Sequence, residues 1–110
     1  MKTTINDFKK VAKLVKSNKR YDIYDYCMKD LVVSMTIMKP EQETRGHSHK
    51  NIDEVYICLE GKGEIEIEKK IYDFKENDIV TIPEGKFHKV KNKLKKKMAF
   101  LSVFEKYKRK

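Results

Sequence analysis

Apolar and polar side chains alternate with a period of two through most of the chain between Tyr21 and Phe104, and this spacing predicts strands. Tyr21 to Tyr26 alternates aromatic or apolar residues with aspartates, Met28-Lys29-Asp30 offers a turn, and the β-rich run Leu31 to Met38 ends at Pro40. Val55 to Leu59 is apolar on both strand faces, which calls for a second layer or a partner. Gly61-Lys62-Gly63 is a tight turn into Glu64 to Glu68, which has one wet face. Lys69-Lys70 and Lys75 to Asp78 turn the chain into Ile71 to Phe74 and Ile79 to Ile82. His88 and Val90 share a face beyond the turn Pro83-Glu84-Gly85, and Met98 to Phe104 is a last apolar strand. From Thr4 to about Lys16 the apolar residues instead fall near helical spacing, which predicts a short amphipathic helix covering an end or edge of the sheet. Short strands joined by turns every 8 to 12 residues or so imply an antiparallel barrel or sandwich.

The expectation is an all-β fold, a small antiparallel β-barrel of jelly-roll type with a short N-terminal α-helix. A helical segment covers 1–20, the barrel 21–104 and a basic tail 105–110. At 110 residues the chain is long enough for one core. No apolar run reaches the roughly 20 residues that span a bilayer, and the lysine-bearing N-terminus lacks an apolar signal core, so the reading is cytoplasmic with no membrane role. Cys27 and Cys58 form no CxxC pair and are expected to be buried free thiols.

Charge changes the picture in one region. The net charge is +9, and residues 86 to 110 hold 11 Lys or Arg against one acid, Glu105. Nucleic-acid binding would need a reading element beside the basic face. Here the lysines alternate with core positions, which reads as a solvated face and argues against a nucleic-acid partner. Attraction of an anionic metabolite fits at least as well.

The chemistry concentrates between Gly46 and Gly61. On an extended strand His47 and His49 share a face, and Glu54 follows five residues after the second histidine. Imidazoles and a carboxylate converging on one spot suggest a divalent-metal site, which His88 could close. These spacings resemble the two signatures of the cupin superfamily. His47-x-His49, Glu54 and Gly61 match the first, and Pro83-x-Gly85, His88 and Asn92 match the second, over a region from about Leu31 to Phe104. Two glycines of that pattern are absent: Glu41 and Asn77 stand in their places. Asparagine tolerates the left-handed backbone, whereas Glu41 puts the local loop shape in question.

The resemblance implies that His47, His49, Glu54 and His88 bind one metal inside a β-barrel. Three imidazoles and a carboxylate suit Mn, Fe, Ni, Co or Zn and leave about two positions open. Function is then drawn from three classes: a metal-dependent isomerase of phosphorylated sugars such as mannose or glucose 6-phosphate, an Fe(II) dioxygenase, or a non-catalytic module holding a small molecule or metal. For an enzyme, Tyr56 is the candidate base, with a plain pocket wall as the alternative, and Arg45 and Lys50 are candidates to hold a phosphate. A doubly apolar strand and open sheet edges predict a homodimer acting on a small-molecule ligand.

Overall fold

Alternation becomes two antiparallel sheets in a computed structural model that describes residues 1–106. The strands are β1 (Lys13–Ser17), β2 (Tyr21–Cys27), β3 (Leu31–Met38), β4 (Glu54–Glu60), β5 (Lys62–Ile67), β6 (Lys70–Lys75), β7 (Ile79–Ile82), β8 (His88–Asn92) and β9 (Met98–Glu105). One sheet runs β1-β2-β3-β9-β4-β7 and the other β6-β5-β8. They enclose a core that includes Met38, Ile65, Phe74, Val90, Met98 and Phe100. The architecture is the expected all-β jelly-roll barrel. No helix among the described residues is long and apolar enough to cross a membrane.

The strand alternation has the predicted sense. On β4, Glu54, Tyr56 and Cys58 are buried on the inner face, while Val55, Ile57 and Leu59 are half-buried on the outer one. The inner face of the large sheet is therefore built of rows that cross several strands, and one row pairs Asp25 with Ser34, Ser34 with Ser102 and Ser102 with Tyr56.

The N-terminal helix is much shorter than its apolar spacing predicts. Only Phe8–Val11 is helical (α1), and Ala12 is already extended at φ −95°, ψ 161°. Lys13–Ser17 is strand β1, paired with β2 through Lys13↔Asp25 to Ser17↔Asp22. Ladder hydrogen bonds to an otherwise open sheet edge outweigh a local helical pattern that has only Phe8 to bury. The segment covers the sheet edge as expected, but as a strand. At the other end Glu105 belongs to β9 rather than to a tail, and residues 107–110 of the expected basic tail lie outside the described residues. Both cysteines are free, but Cys27, at the end of β2, is exposed rather than buried.

The two positions that lack the expected glycines keep the backbone that glycine would allow. Glu41 has φ 58° and Asn77 has φ 76°. The loop shape survives Glu41, at the strain of a left-handed non-glycine residue.

Candidate metal centre

Three stretches deliver the cluster. Glu54 opens β4 and His88 opens β8, whereas His47 and His49 lie in the connection between β3 and β4. The two histidines were expected on one strand. Instead the connection is irregular, and its backbone is tied to β8 at intervals. The N–H of Asn92 donates to Gln42 O at 2.9 Å, and that of Thr44 to Val90 O at 2.9 Å. His47 then forms a single antiparallel bridge with His88. Gly46, just before it, has φ +81°, and a Cβ there would lie 2.4 Å from the Phe87 ring, so any larger residue would be strained and would have to displace that ring.

The turn after β7 fastens the other end of the connection. Gly85 N–H donates to His49 O at 2.7 Å, and Glu84 N–H donates to Asp53 Oδ1 at 2.9 Å. Asn92, fully buried, holds the next turn. Its Nδ2 donates to the carbonyls of Lys39 and Lys96 at 3.0 and 2.8 Å, and its Oδ1 accepts from Leu94 N–H at 3.0 Å. That motif asparagine is thus structural and not a ligand.

The four residues meet. One ligand atom each from His47, His49 and Glu54 lie within 4.8 Å of one another. The ring centroid of His88 is 4.3 Å from that of His47 and 6.4 Å from that of His49. Glu54 bridges the set, with Oε1 3.6 Å from His49 Nε2 and Oε2 3.3 Å from His88 Nε2. Burial and then the positive charge that His88 and His49 would carry hold His47 down at about 4, against a smaller pull upward from Glu54. Burial likewise lowers His49, with Glu54 opposing and His88 reinforcing. Burial pushes Glu54 up, but His88, His49 and His47 together outweigh it and leave the carboxyl below its ordinary value. At neutral pH His47 and His49 are therefore neutral and Glu54 is ionised, the forms in which these groups bind metals.

His88 shows that a cation fits. Its Nδ1 lies 2.9 Å from Lys86 O, which can only accept, so Nδ1 carries a proton and Nε2 is the ring nitrogen turned toward Glu54 Oε2. Nε2 and Glu54 Oε2 are both buried and have no hydrogen-bond partner. A positive centre between the carboxylate and the imidazole nitrogen, a proton or a metal ion, satisfies both. A ligating imidazole whose other nitrogen donates to a carbonyl is the usual supporting arrangement of a metal-bound histidine.

A cavity of about 820 Å³ opens beside the cluster, between the large sheet and the connection that carries His47 and His49. Tyr56 lines it, 6% exposed, with its ring stacked on Phe100 and edge-on to His88 at 5.5 Å. Arg45 lines it too. Lys50 is not among the lining residues and is exposed in the turn beyond His49. The cavity also uses Lys16, Asp25, Ser34, Thr36 and Ser102, none of which the sequence reading singled out. The signal was there for three of them. Asp25 shares its alternation with Tyr21 and Ile23, and Ser34 and Thr36 interrupt one face of an otherwise apolar strand. Lys16 was hidden by the helical reading.

Comparison with known proteins agrees with this geometry. The Cupin domain family profile matches residues 34–104, and the chain belongs to that family. Over 52 residues the chain is 35% identical to 5-nitrosalicylic acid 1,2-dioxygenase of Bradyrhizobium sp., a match covering 47% of this chain. The matched stretch is only 25% of that enzyme's length. Among solved structures, TT1209 from Thermus thermophilus superposes with a TM-score of 0.78 at 20% identity, covering 92% of this chain and 95% of that one. KdgF from Halomonas sp. gives 0.77 at 14% identity, with 87% of each chain covered. A predicted oxalate decarboxylase from Thermotoga maritima gives 0.72 at 20% identity, covering 77% and 79%. At these identities the superpositions establish the fold. Together with the His/His/Glu group they support a divalent-metal cupin.

Proposed function

We propose that this cupin holds one divalent transition metal between His47, His49, Glu54 and His88 and uses it to act on a small molecule in the adjoining cavity. The observation that carries the reading is the convergence of ligand atoms of His47, His49 and Glu54 within 4.8 Å of one another, with His88 Nε2 3.3 Å from Glu54 Oε2. When bound, such a metal supplies Lewis acidity toward oxygen atoms that chelate it. The chain's own residues do the rest. Lys86 O orients His88, Tyr56 and Phe100 wall the cavity, and Arg45 attracts an anionic ligand to it.

Two reactions remain in view, and the likeness to a salicylate dioxygenase favours an oxygenase acting on a hydroxy-carboxylate chelate. For a phosphosugar isomerase, Arg45 is the candidate phosphate-holding residue that lines the cavity. Protein purified without added metal and assayed by mass spectrometry should retain one transition metal per chain, and Glu54→Gln should lose it. The Fe(II)-loaded protein should then consume dioxygen in the presence of salicylates. Tight ligand retention with no turnover would instead mark a binding module. Metal content unchanged in Glu54→Gln and in His88→Ala would overturn the site itself.

The outer face of the large sheet enters the same reading as the surface of a homodimer. Val55, Ile57 and Leu101 are only half-buried there and Ile79 is 67% exposed. Light scattering at micromolar concentration tests it, and a monomer would exclude it.

A further inference from the structure

The row Asp25–Ser34–Ser102–Tyr56 gives the cavity a second polar end, away from the metal cluster. Ser34 is 6% exposed and Ser102 5%, yet both sit on an inward face whose deeper row pairs Met38 with Met98. Hydroxyls in place of core side chains, along one wall of a cavity, favour a polar occupant. Next in the row stands Asp25, half-buried, accepting from Ser34 Oγ at 2.5 Å, with exposed Lys13 of β1 beyond it. Asp25 lines the cavity, its one side-chain hydrogen bond uses Oδ1, and among the described residues no lysine or arginine forms an ion pair with it.

We infer that Asp25 is the distal anchor of a two-ended ligand, one that chelates the metal through oxygen at one end and presents a hydroxyl or ammonium donor at the other. This rests on the metal reading above for its first end only. Three interstrand steps of about 4.8 Å, and two residues of about 3.3 Å each along β4, put the Asp25 and Glu54 backbones roughly 16 Å apart. With side chains reaching inward from both ends, the free span is on the order of 10 Å, the reach of a chain of six or seven atoms. The serines give that chain a polar wall, and Asp25 selects its tip.

Three hydroxamates of equal length test the inference: hexanohydroxamate, 6-hydroxyhexanohydroxamate and 6-aminohexanohydroxamate. Each is titrated into Co(II)-loaded protein and read by the cobalt d–d spectrum. The hydroxyl- and ammonium-tipped chelators are expected to bind at least about tenfold more tightly than the methyl-tipped one, the worth of one charge-assisted hydrogen bond. Asp25→Leu should erase that preference and Asp25→Asn should reduce it for the ammonium tip, while both variants bind Co(II) as the parent does. Equal affinities for the three chelators, or a preference surviving in Asp25→Leu, would overturn it. If no cobalt spectrum develops, the metal reading fails by itself. The distal end is then decided by amide shifts at Ser34 and Ser102 on adding 1-aminohexane, which should appear in the parent and vanish in Asp25→Leu. Their absence in the parent would sink the anchor.

Discussion

His47 and His88 face each other across a single antiparallel bridge, in which each donates its backbone N–H to the other's carbonyl, at 3.0 and 2.9 Å. Their approach is fixed by main chain, so the rings can be altered without undoing it. His88→Ala should keep amide protection at residues 47 and 88 in hydrogen exchange. Its metal affinity should fall by more than the roughly 10–100-fold that loss of an outer-sphere partner costs. Isothermal titration with Zn(II) or Co(II) measures the second effect, and collapse of protection at 47 would show that the side chain holds the bridge.

In metal-free protein the same cluster couples stability to pH. His47 takes up its proton near pH 4, whereas the unfolded chain does so at 6.5. Between those values the unfolded state binds more protons, so stability rises with pH through the window and is lost on acidification. Lowered His49 and Glu54 act in the same sense, Glu54 below its ordinary 4.5. Urea unfolding should therefore show lower stability at about pH 5 than at pH 7, with a shallower dependence in His47→Asn. A pH-independent midpoint, or a His47 imidazole titrating near its ordinary value by NMR, would contradict this.

Asn92 is a stability residue at the edge of the site. Asn92→Ala removes three hydrogen bonds and strands the carbonyls of Lys39 and Lys96. The expected loss is about 2–4 kcal/mol by chemical denaturation, with metal stoichiometry unchanged in the folded fraction.

The two thiols should separate by reactivity. Burial pushes Cys58 up to about 11, while Cys27 is exposed. A disulfide reagent at about pH 8 should titrate one thiol in native protein and two after denaturation. Modification of Cys58 in the native state would mean that β4 opens readily.

Glu41 and Asn77 carry the fifth prediction. Glu41→Gly should stabilise the protein by up to about 1 kcal/mol, because relief of left-handed strain exceeds glycine's extra unfolded-state entropy. Asn77→Gly should change little, asparagine being at ease at φ 76°.

These residues also show what the sequence made legible. The strands from Tyr21 to Phe104 were readable because a period of two is imposed directly by burial on one sheet face. The four residues of the cluster were readable because their spacing is tied to turns that proline and glycine mark. β1 was not, because its strand conformation comes from pairing with β2, a partner that local spacing around Leu14 and Val15 does not reveal. Asp25 and Ser102 were not either, since they come together through register across β2, β3 and β9, between residues far apart in the chain. Lys50 looked equivalent to Arg45 in sequence, and only the path of the connection separates them.

The group that accepts from His88 Nδ1 is the carbonyl of residue 86, not a side chain. Lys86 can be replaced by almost any residue without removing that acceptor. A carboxylate acceptor could be deleted by one mutation; this acceptor is inherited with the chain's path through Pro83-Glu84-Gly85. Cavity walls can therefore diverge to fit new ligands, while the proton arrangement that prepares His88 is lost only if the turn itself is rebuilt.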